Sequence, residues 1–397
     1  MISWGLKTRG LRPIGLDIGQ NSIKMLQLQA HGKQLSVIAA EKTRVDPDLN
    51  GDIQKRRKFI ISAIRRMIEK GNFNGRNVIS CLPNEGLKIT SLRLTEVQND
   101  EIEQVLRKEV AQRFGLDPDK DAVKYVVAGN VHQGDEIKNE LILFAADNEI
   151  IKNHIEMLEE AGLRPVSIDT IPCALFRSFE RSLRRQEDRE RTVVFIDVGN
   201  QVTTVVFGRG GEISFVKQIS IGGQKFNEEV AAKLGINISE AEMLRKALQM
   251  EKSLSRPRPS LEEQELTESE PKLDASTRQT IVDAVGAVAE ELTREISLCL
   301  RYYTVTFRGK RVERAVFTGG GAYEYILLDI LRRQLAVEIE VAQPLRGFDL
   351  SSERRNLNFD SDRRGLLSEW TVAVGLSLKG WNGVESVSHE VVSERRV

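Results

Sequence analysis

One pattern occurs twice in this chain, and it restricts the fold more than any other feature. From Ile14 to Leu28 an apolar strand runs into a glycine-containing turn and then into an alternating strand. A third strand is predicted over 31–45, after the turn His31-Gly32-Lys33. Residues 193–219 repeat that order. Val193–Gly199 read as strand and turn, Thr203–Phe207 as the second strand, Gly208–Gly211 as a turn, and Glu212–Ile219 as the third strand. The pairs Asp17/Gly19 and Asp197/Gly199 stand at the same offset of 180 residues. Two copies of one supersecondary unit predict two related halves that face each other.

The remaining segments fit around these copies. A helix with a glycine stop is expected over 51–71 and a short buried strand over 78–82. Residues 84–145 form an insert with strands near 87–94 and 123–131, a charged helix over 99–114, and the strong strand Leu141–Ala145. An amphipathic helix over 148–162, a strand over 166–169 and a helix over 172–185 complete the first half, and the charged run 184–191 reads as a solvated crossover. In the second half Gly222-Gly223 opens a helix over 224–234, with further helices over 239–249, 276–303 and 322–335, and a last strand over 337–341. The apolar face of the long helix, from Ile281 through Val285, Val288, Leu292 and Ile296 to Leu300, reads as core packing. Residues 251–275 are rich in Pro, Ser and acids and read as a flexible insertion, 349–365 as irregular, 369–378 as a closing helix and the tail from 380 as loose.

Composition narrows the function. At 397 residues two or more domains are expected, and 40% hydrophobic residues supply real cores. The 58 Lys and Arg are balanced by 58 Asp and Glu, so no basic excess points to nucleic acid, and 6% aromatic residues give little surface for base stacking. Cys81, Cys173 and Cys299 are scattered, as are His31, His132, His154 and His389, with no metal-ligand or disulfide spacing. A reducing, cytoplasmic setting is expected. No run approaches the roughly 18 apolar residues of a membrane span. The stretch Met1–Lys7 lacks the apolar core of a signal peptide. Trp4 and Leu6, with Lys7, Arg9 and Arg12, read as a frayed terminus rather than a membrane contact.

The chemistry sits in three glycine loops, each after an apolar strand: Gly19-Gln20-Asn21-Ser22, Gly199-Asn200-Gln201 and Gly319-Gly320-Gly321. Glycine lets backbone approach a ligand closely, and successive N–H groups in such turns make an anion-binding concavity. Two duplicated loops and a third at a strand-to-helix junction suit phosphates held from two sides and a nucleoside above. Asp17 and Asp197 precede the first two loops, where a carboxylate can share Mg2+ with phosphate oxygens; the competing reading is a turn-forming Asp. Lys24 lies on the outgoing strand and reads either as a point charge for phosphate or as an ordinary strand lysine. Ser22 and Thr203 read either as hydroxyl donors to phosphate or as plain strand residues.

The order of these motifs resembles the actin/Hsp70/sugar-kinase ATPase superfamily. More closely, Ile14–Leu28, Leu141–Val166, Asp197–Gly199 with Ile219–Gly223, Val316–Gly321 and Trp370–Leu378 resemble the PilM-type pilus assembly proteins. The resemblance, over about residues 12–380, implies an α/β, actin-like (ribonuclease H-like) two-lobed fold. Duplicated sheet-and-helix halves would flank a nucleotide cleft, with a small inserted α+β subdomain shared with FtsA. It divides the chain into 12–83 and 146–190 as the two parts of the first lobe, 84–145 as the insert, 191–365 as the second lobe (222–312 its upper part), 366–380 as the closing helix and 381–397 as the tail.

By matching position, the resemblance assigns Asp17, Gly19, Gln20, Asn21, Ser22 and Lys24 to the first phosphate site. Asp197, Gly199, Asn200, Gln201 and Thr203 go to the second, Glu242 and Arg245 to ribose and base, and Gly319, Gly320 and Gly321 to the adenosine. ATP and Mg2+ are the implied ligands, with Asp17 and Asp197 beside the metal. The implied function is a cytoplasmic scaffold of type IV pilus, secretion or DNA-uptake machinery. It would bind the cytoplasmic tail of a PilN-like inner-membrane protein and other machine components, and so reach the membrane only indirectly. Weak ATPase activity and homo-oligomer formation are left open. An FtsA-like filament and a sugar or small-acid kinase are the alternatives. Departures from the family are Arg245 for a usual Lys, Gln20-Asn21 for a small Ser-Ser pair, Arg113–Pro118 for a Tyr-Ile-Pro-Phe-like run, and Asp147-Asn148 for Arg-Lys.

Overall fold

The structure is a computed structural model that describes residues 10–95, 99–133, 136–180, 191–254, 273–307, 311–350, 357–359 and 366–381. The segment Met1–Arg9, the crossover over 184–190, most of the 251–275 insertion and the tail beyond 381 lie outside the described residues.

The chain opens with β1 (Leu11–Ile18), β2 (Ser22–His31), β3 (Gln34–Arg44), α1 (Ile53–Lys70) and β4 (Asn77–Cys81). Then come β5 (Lys88–Thr95), α2 (Asn99–Phe114), β6 (Ala122–Gln133), β7 (Glu136–Ala146), α3 (Asn148–Glu160), β8 (Arg164–Asp169) and α4 (Ile171–Glu180). The second copy is β9 (Thr192–Val198), β10 (Thr203–Arg209) and β11 (Glu212–Ile219), followed by α5 (Gly223–Leu234), α6 (Ile238–Leu254) and α7 (Ala275–Thr306). It ends with β12 (Val312–Thr318), α8 (Tyr325–Gln334), β13 (Glu338–Val341) and α9 (Thr371–Ser377).

The repeat in the sequence is a repeat in topology. One five-stranded sheet has the order β3-β2-β1-β4-β8 and the other β11-β10-β9-β12-β13. In both, the first three strands are antiparallel and the last two are added in parallel. The equivalence extends to register: Asp17 pairs with Lys24 across the first hairpin, and Asp197 with Thr204 across the second.

Helical periodicity decides what covers each sheet. On α1 the residues Ile60, Ile64 and Met67 recur every three or four positions and pack with Ile14, Leu16 and Met25. Asp52 caps that helix by accepting from Lys55 N at 3.0 Å, and Gly71 ends it. The second sheet is covered by α7, whose Ile281, Val285, Val288, Leu292 and Ile296 are buried as expected.

Two short helices lie between the sheets. Leu175, Phe176 and Phe179 of α4 pack on the second sheet, where Phe179 stacks on Phe195 at 5.0 Å. Trp370, Ala373 and Val374, around the start of α9, pack on Leu26, Leu28 and Val37 of the first sheet. The two helices touch each other through Gly375, where an added Cβ would lie 1.8 Å from the Ala174 carbonyl oxygen. The buried Asp169 binds Arg177 at 2.9 Å and Lys379 at 3.5 Å, and Arg177 also donates to the Gly375 carbonyl at 2.9 Å.

The third sheet, β5-β7-β6, belongs to the insert. Alternation along β7 explains its unbroken apolar run. Leu141 and Leu143 face Ile102, Leu106 and Val110 of α2, while Ile142 and Phe144 join Ile213 and Val216 of β11. The insert is therefore connected by chain to the first half and packed on the second.

Three segments differ from the sequence expectation. The helix expected over 322–335 is a 3-10 turn over 320–323 and then α8, because Gly319 takes a left-handed φ of 80° and Glu324 is extended. The closing helix starts with a 3-10 turn over 368–370, entered by Leu367 at φ 54°. Within the stretch expected to be irregular, Leu357 and Phe359 pack with the first sheet, Asn358 N donates to Ala40 O at 2.9 Å, and Asp349 O accepts from Val37 N at 3.1 Å. Asp349 and Leu357 thus bridge to the edge strand β3 at Ser36 and Ala40.

Two outcomes are expected. Gly375→Ala forces α4 and α9 apart and should cost about 1–3 kcal/mol in denaturant unfolding, as overpacking does. His154 of α3 is buried with its Nε2 3.2 Å from Ser80 Oγ, and burial lowers its pKa to about 4. Its unfolded value is about 6.5, so its contribution is present above pH 6.5 and lost as pH falls through 4, about 3 kcal/mol in all. His154→Gln should flatten that slope in unfolding curves taken between pH 6.5 and 4.

Candidate functional site

Each duplicated hairpin closes with the same bond. Gly19 N donates to Ser22 O at 3.0 Å, and Gly199 N to Val202 O at 3.1 Å. Five further carbonyls of the two loops are also engaged. Gly19 O and Gln20 O accept from Arg56 of α1 at 2.9 and 3.2 Å, and Asn21 O accepts from Val45 N at 2.9 Å. Gly199 O and Asn200 O accept from Gly223 N and Gln224 N, at 2.9 and 2.7 Å. That docking requires Gly222, whose added Cβ would sit 2.5 Å from Asn200 O. Among the described residues the amides of Gln20, Asn21, Asn200 and Gln201 carry no such bond. Carbonyls held and N–H groups left over is the arrangement of an anion-binding nest.

The two loops meet. Asn21 Nδ2 donates to Asn200 Oδ1 at 2.9 Å, and further out Arg44 binds Glu242 at 3.0 Å across the same gap. Gln20 turns its side chain away, to Glu85 at 3.1 Å. Ser22 starts β2 opposite Arg44, and Gln201 is exposed.

Charge collects beneath the loops. Lys24 is buried and lies 3.0 Å from Asp17. Burial pushes its pKa down, but Asp17, Glu369 and Asp197 outweigh this and raise it. Glu369, at the entrance to α9, holds Lys42 at 3.1 Å. Asp197 is pushed up to about 7 by burial and by the Asp17 charge, against the pull of Lys24. Asp17 and Asp197 are thus two neighbouring carboxylates sharing one ammonium. This is a donor set short of positive charge, and it fits a divalent cation.

The third loop closes on the second. Gly319 could carry no side chain, since a Cβ would meet Asp197 Oδ1 at 2.4 Å, and Gly321 is held as closely against Val198. Gly320 begins the 3-10 turn. Thr318 Oγ1 donates to Ser368 O at 2.7 Å, tying this loop to the entrance of α9.

The structure gives several predicted residues an internal partner. Lys24, read as a phosphate ligand, gives its ammonium to Asp17. Thr203 donates its hydroxyl to Ile221 O at 2.6 Å. Arg245, assigned with Glu242 to ribose and base, lies over Phe226 at 5.4 Å and donates to Gly223 O at 2.8 Å. Glu242 is engaged by Arg44 and Lys246. The sequence reading did not find Arg56, Lys42 or Glu369, because each reaches the site from a different element and no spacing links them.

The family model for the type IV pilus assembly protein PilM matches residues 15–256 and 260–381. The chain is 22% identical over 254 residues to the cell division protein FtsA of Streptococcus pneumoniae, which covers 58% of this chain and 54% of that protein. With FtsA of Bacillus subtilis it is 22% identical over 259 residues, 59% of this chain and 57% of that protein. The chain thus spans just over half the length of the curated relatives it matches. A solved structure described as a PilM-PilN type IV pilus biogenesis complex superposes with a TM-score of 0.72 at 21% identity, over 95% of this chain and 100% of that one. The fold is actin-like, as the sequence implied, and the chain belongs to the PilM family of type IV pilus assembly proteins.

The Asp197 pKa sets a stability slope. A carboxyl raised from about 3.9 to about 7 on folding contributes stability below pH 3.9 that is lost as pH rises through 7. In the nucleotide-free protein at pH 8, Asp197→Asn should therefore be more stable than the parent by about 2 kcal/mol. That is half the ~4 kcal/mol of three pK units, allowing for partial solvent access. The gain should vanish by pH 4, as thermal unfolding across that range would show.

Proposed function

We propose that this PilM-family chain is an ATP-binding scaffold of a type IV pilus or related machine. The observation that carries the reading is the pair of facing loops whose carbonyls are held internally and whose amides are left over. Phosphates would lie between them, against Gln20 and Asn21 on one side and Asn200 and Gln201 on the other. Ser22 adds a hydroxyl. Asp17 and Asp197 would hold Mg2+, which neutralises phosphate charge when bound. Lys24 would stay paired with Asp17 and add positive potential below the phosphates. The adenosine would lie along Gly319, Gly320 and Gly321, where Gly320 faces open space, with Glu242 and Arg245 near ribose and base once Arg44 releases Glu242.

Turnover is proposed to be slow. Phosphoryl transfer needs a group that orients the attacking water; the lining carboxylates Asp17 and Glu369 are already held by Lys24 and Lys42, and Asp197 is the carboxylate proposed for the metal. The partner is proposed to be a short cytoplasmic peptide of a PilN-like inner-membrane protein, bound at the insert. This would place the chain in the cytoplasm, peripheral to the membrane. No helix among the described residues is long and apolar enough to cross one.

Calorimetry with ATP and Mg2+ tests the cleft. Binding should be lost, about tenfold or more, in Asp17→Ala and in Asp197→Ala, as for removal of one partner of a charge-assisted contact. A folded parent that binds no nucleotide would overturn the reading. The 22% identity with the cell division protein FtsA favours a second proposal, the FtsA-like filament expected as an alternative from the sequence. Sedimentation with ATP, without any partner, would reveal it.

A further inference from the structure

The duplicated loops solve one problem by two different means. In the second loop the carbonyls of Gly199 and Asn200 are held by backbone amides at the start of α5, Gly223 N and Gln224 N. Among the described residues the first half has no helix N-terminus in that position. There the equivalent carbonyls, Gly19 O and Gln20 O, are held by the two terminal nitrogens of one side chain, Arg56, at 2.9 and 3.2 Å.

We propose that Arg56 is the positioning residue of the first loop, a guanidinium that stands in for the helix N-terminus of the second half. It fixes two successive peptide planes by their carbonyls and so aims the Gln20 and Asn21 amides at an anion on the opposite face. A guanidinium suits this because its planar fork offers two donors in a fixed geometry, which an ammonium does not. The side chain is itself well placed. It leaves α1 four residues after the capping Asp52, whose carbonyl accepts from Arg56 N at 2.9 Å. Burial lowers its pKa and Glu85 opposes that, so it stays charged near neutrality. The orientation of the anion site thus depends on a residue that has no need to touch the ligand. The ligand class, a polyphosphate, rests on the nucleotide reading above, whereas the positioning of the loop does not.

The experiment has two arms on Arg56→Ala, with Arg56→Lys beside it. The first is hydrogen exchange without nucleotide. Gly19 and Val45 amides, bonded within and to the first loop, should exchange about tenfold or more faster in Arg56→Ala, while Gly199 and Gly223 at the second loop stay as in the parent. Unchanged exchange at Gly19 and Val45, or an equal rise at both loops, would overturn the positioning role. The second arm compares ATP·Mg2+ with adenosine by calorimetry. Affinity for ATP should fall about tenfold in Arg56→Ala and less in Arg56→Lys, with adenosine affinity unchanged, because only phosphates meet this loop. An equal loss for both ligands would also overturn the role. A parent that binds neither ligand would refute the nucleotide reading alone, and the exchange arm would still decide the positioning role.

Discussion

The contact between α4 and α9 is the constraint on which the rest of the molecule depends. These helices lie between the two sheets, and Gly375 lets them approach until backbone touches backbone. One carries phenylalanines into the second sheet, and the other carries Trp370 and Val374 into the first. Each sheet buries one face against helices of its own half and needs the central pair for the other. The salt bridges of Asp169 to Arg177 and Lys379 hold that pair at a fixed angle without apolar bulk. Any change in the angle between the halves must pass through this crossing.

The same crossing links the floor of the cleft to the fold. Glu369 stands at the entrance of α9, beside Lys42 and close enough to raise the Lys24 pKa. Lys24 in turn pairs with Asp17, and Asp17 pushes Asp197 up. A charge added between Asp17 and Asp197 is therefore felt at the start of the helix that joins the halves. Across the mouth, Asn21 to Asn200 and Arg44 to Glu242 are polar contacts between halves, which water or a ligand can replace at small cost. The insert adds a further link, since Arg93 binds Glu140 at 2.8 Å within the insert and reaches Tyr302 of α7 at 3.0 Å. The proposed partner at the insert and the proposed ligand in the cleft would thus act on the same two halves.

Much of this was legible in the sequence. The repeat predicted the duplicated sheets because strand alternation, Asp-x-Gly turns and glycine placement are local properties. The long apolar stripe of α7 predicted its own burial. The family resemblance, resting on Ile14–Leu28, Asp197–Gly199 and Val316–Gly321, predicted the actin-like class that the fold and the family match show. Fine boundaries were less legible. The split at Gly319–Glu324 and the 3-10 entrance at Leu367 follow from how the third loop wraps against Asp197 and Ser368, which is a tertiary contact.

For the site, sequence by itself determined where the glycine turns fall: the glycines and the Asp residues before them stand in fixed local register. What only tertiary structure decided was which partners those residues keep. Thr203 turns to Ile221, Arg245 to Phe226 and Gly223, and Lys24 to Asp17, because each finds a nearer acceptor or ring once the elements pack. Arg56, 37 residues beyond Gly19, joins the first loop only because α1 packs on the first sheet. A turn is specified by a few neighbouring residues. The orientation of its peptide planes here is set by a side chain that arrives from another element, and no spacing in the chain encodes that meeting.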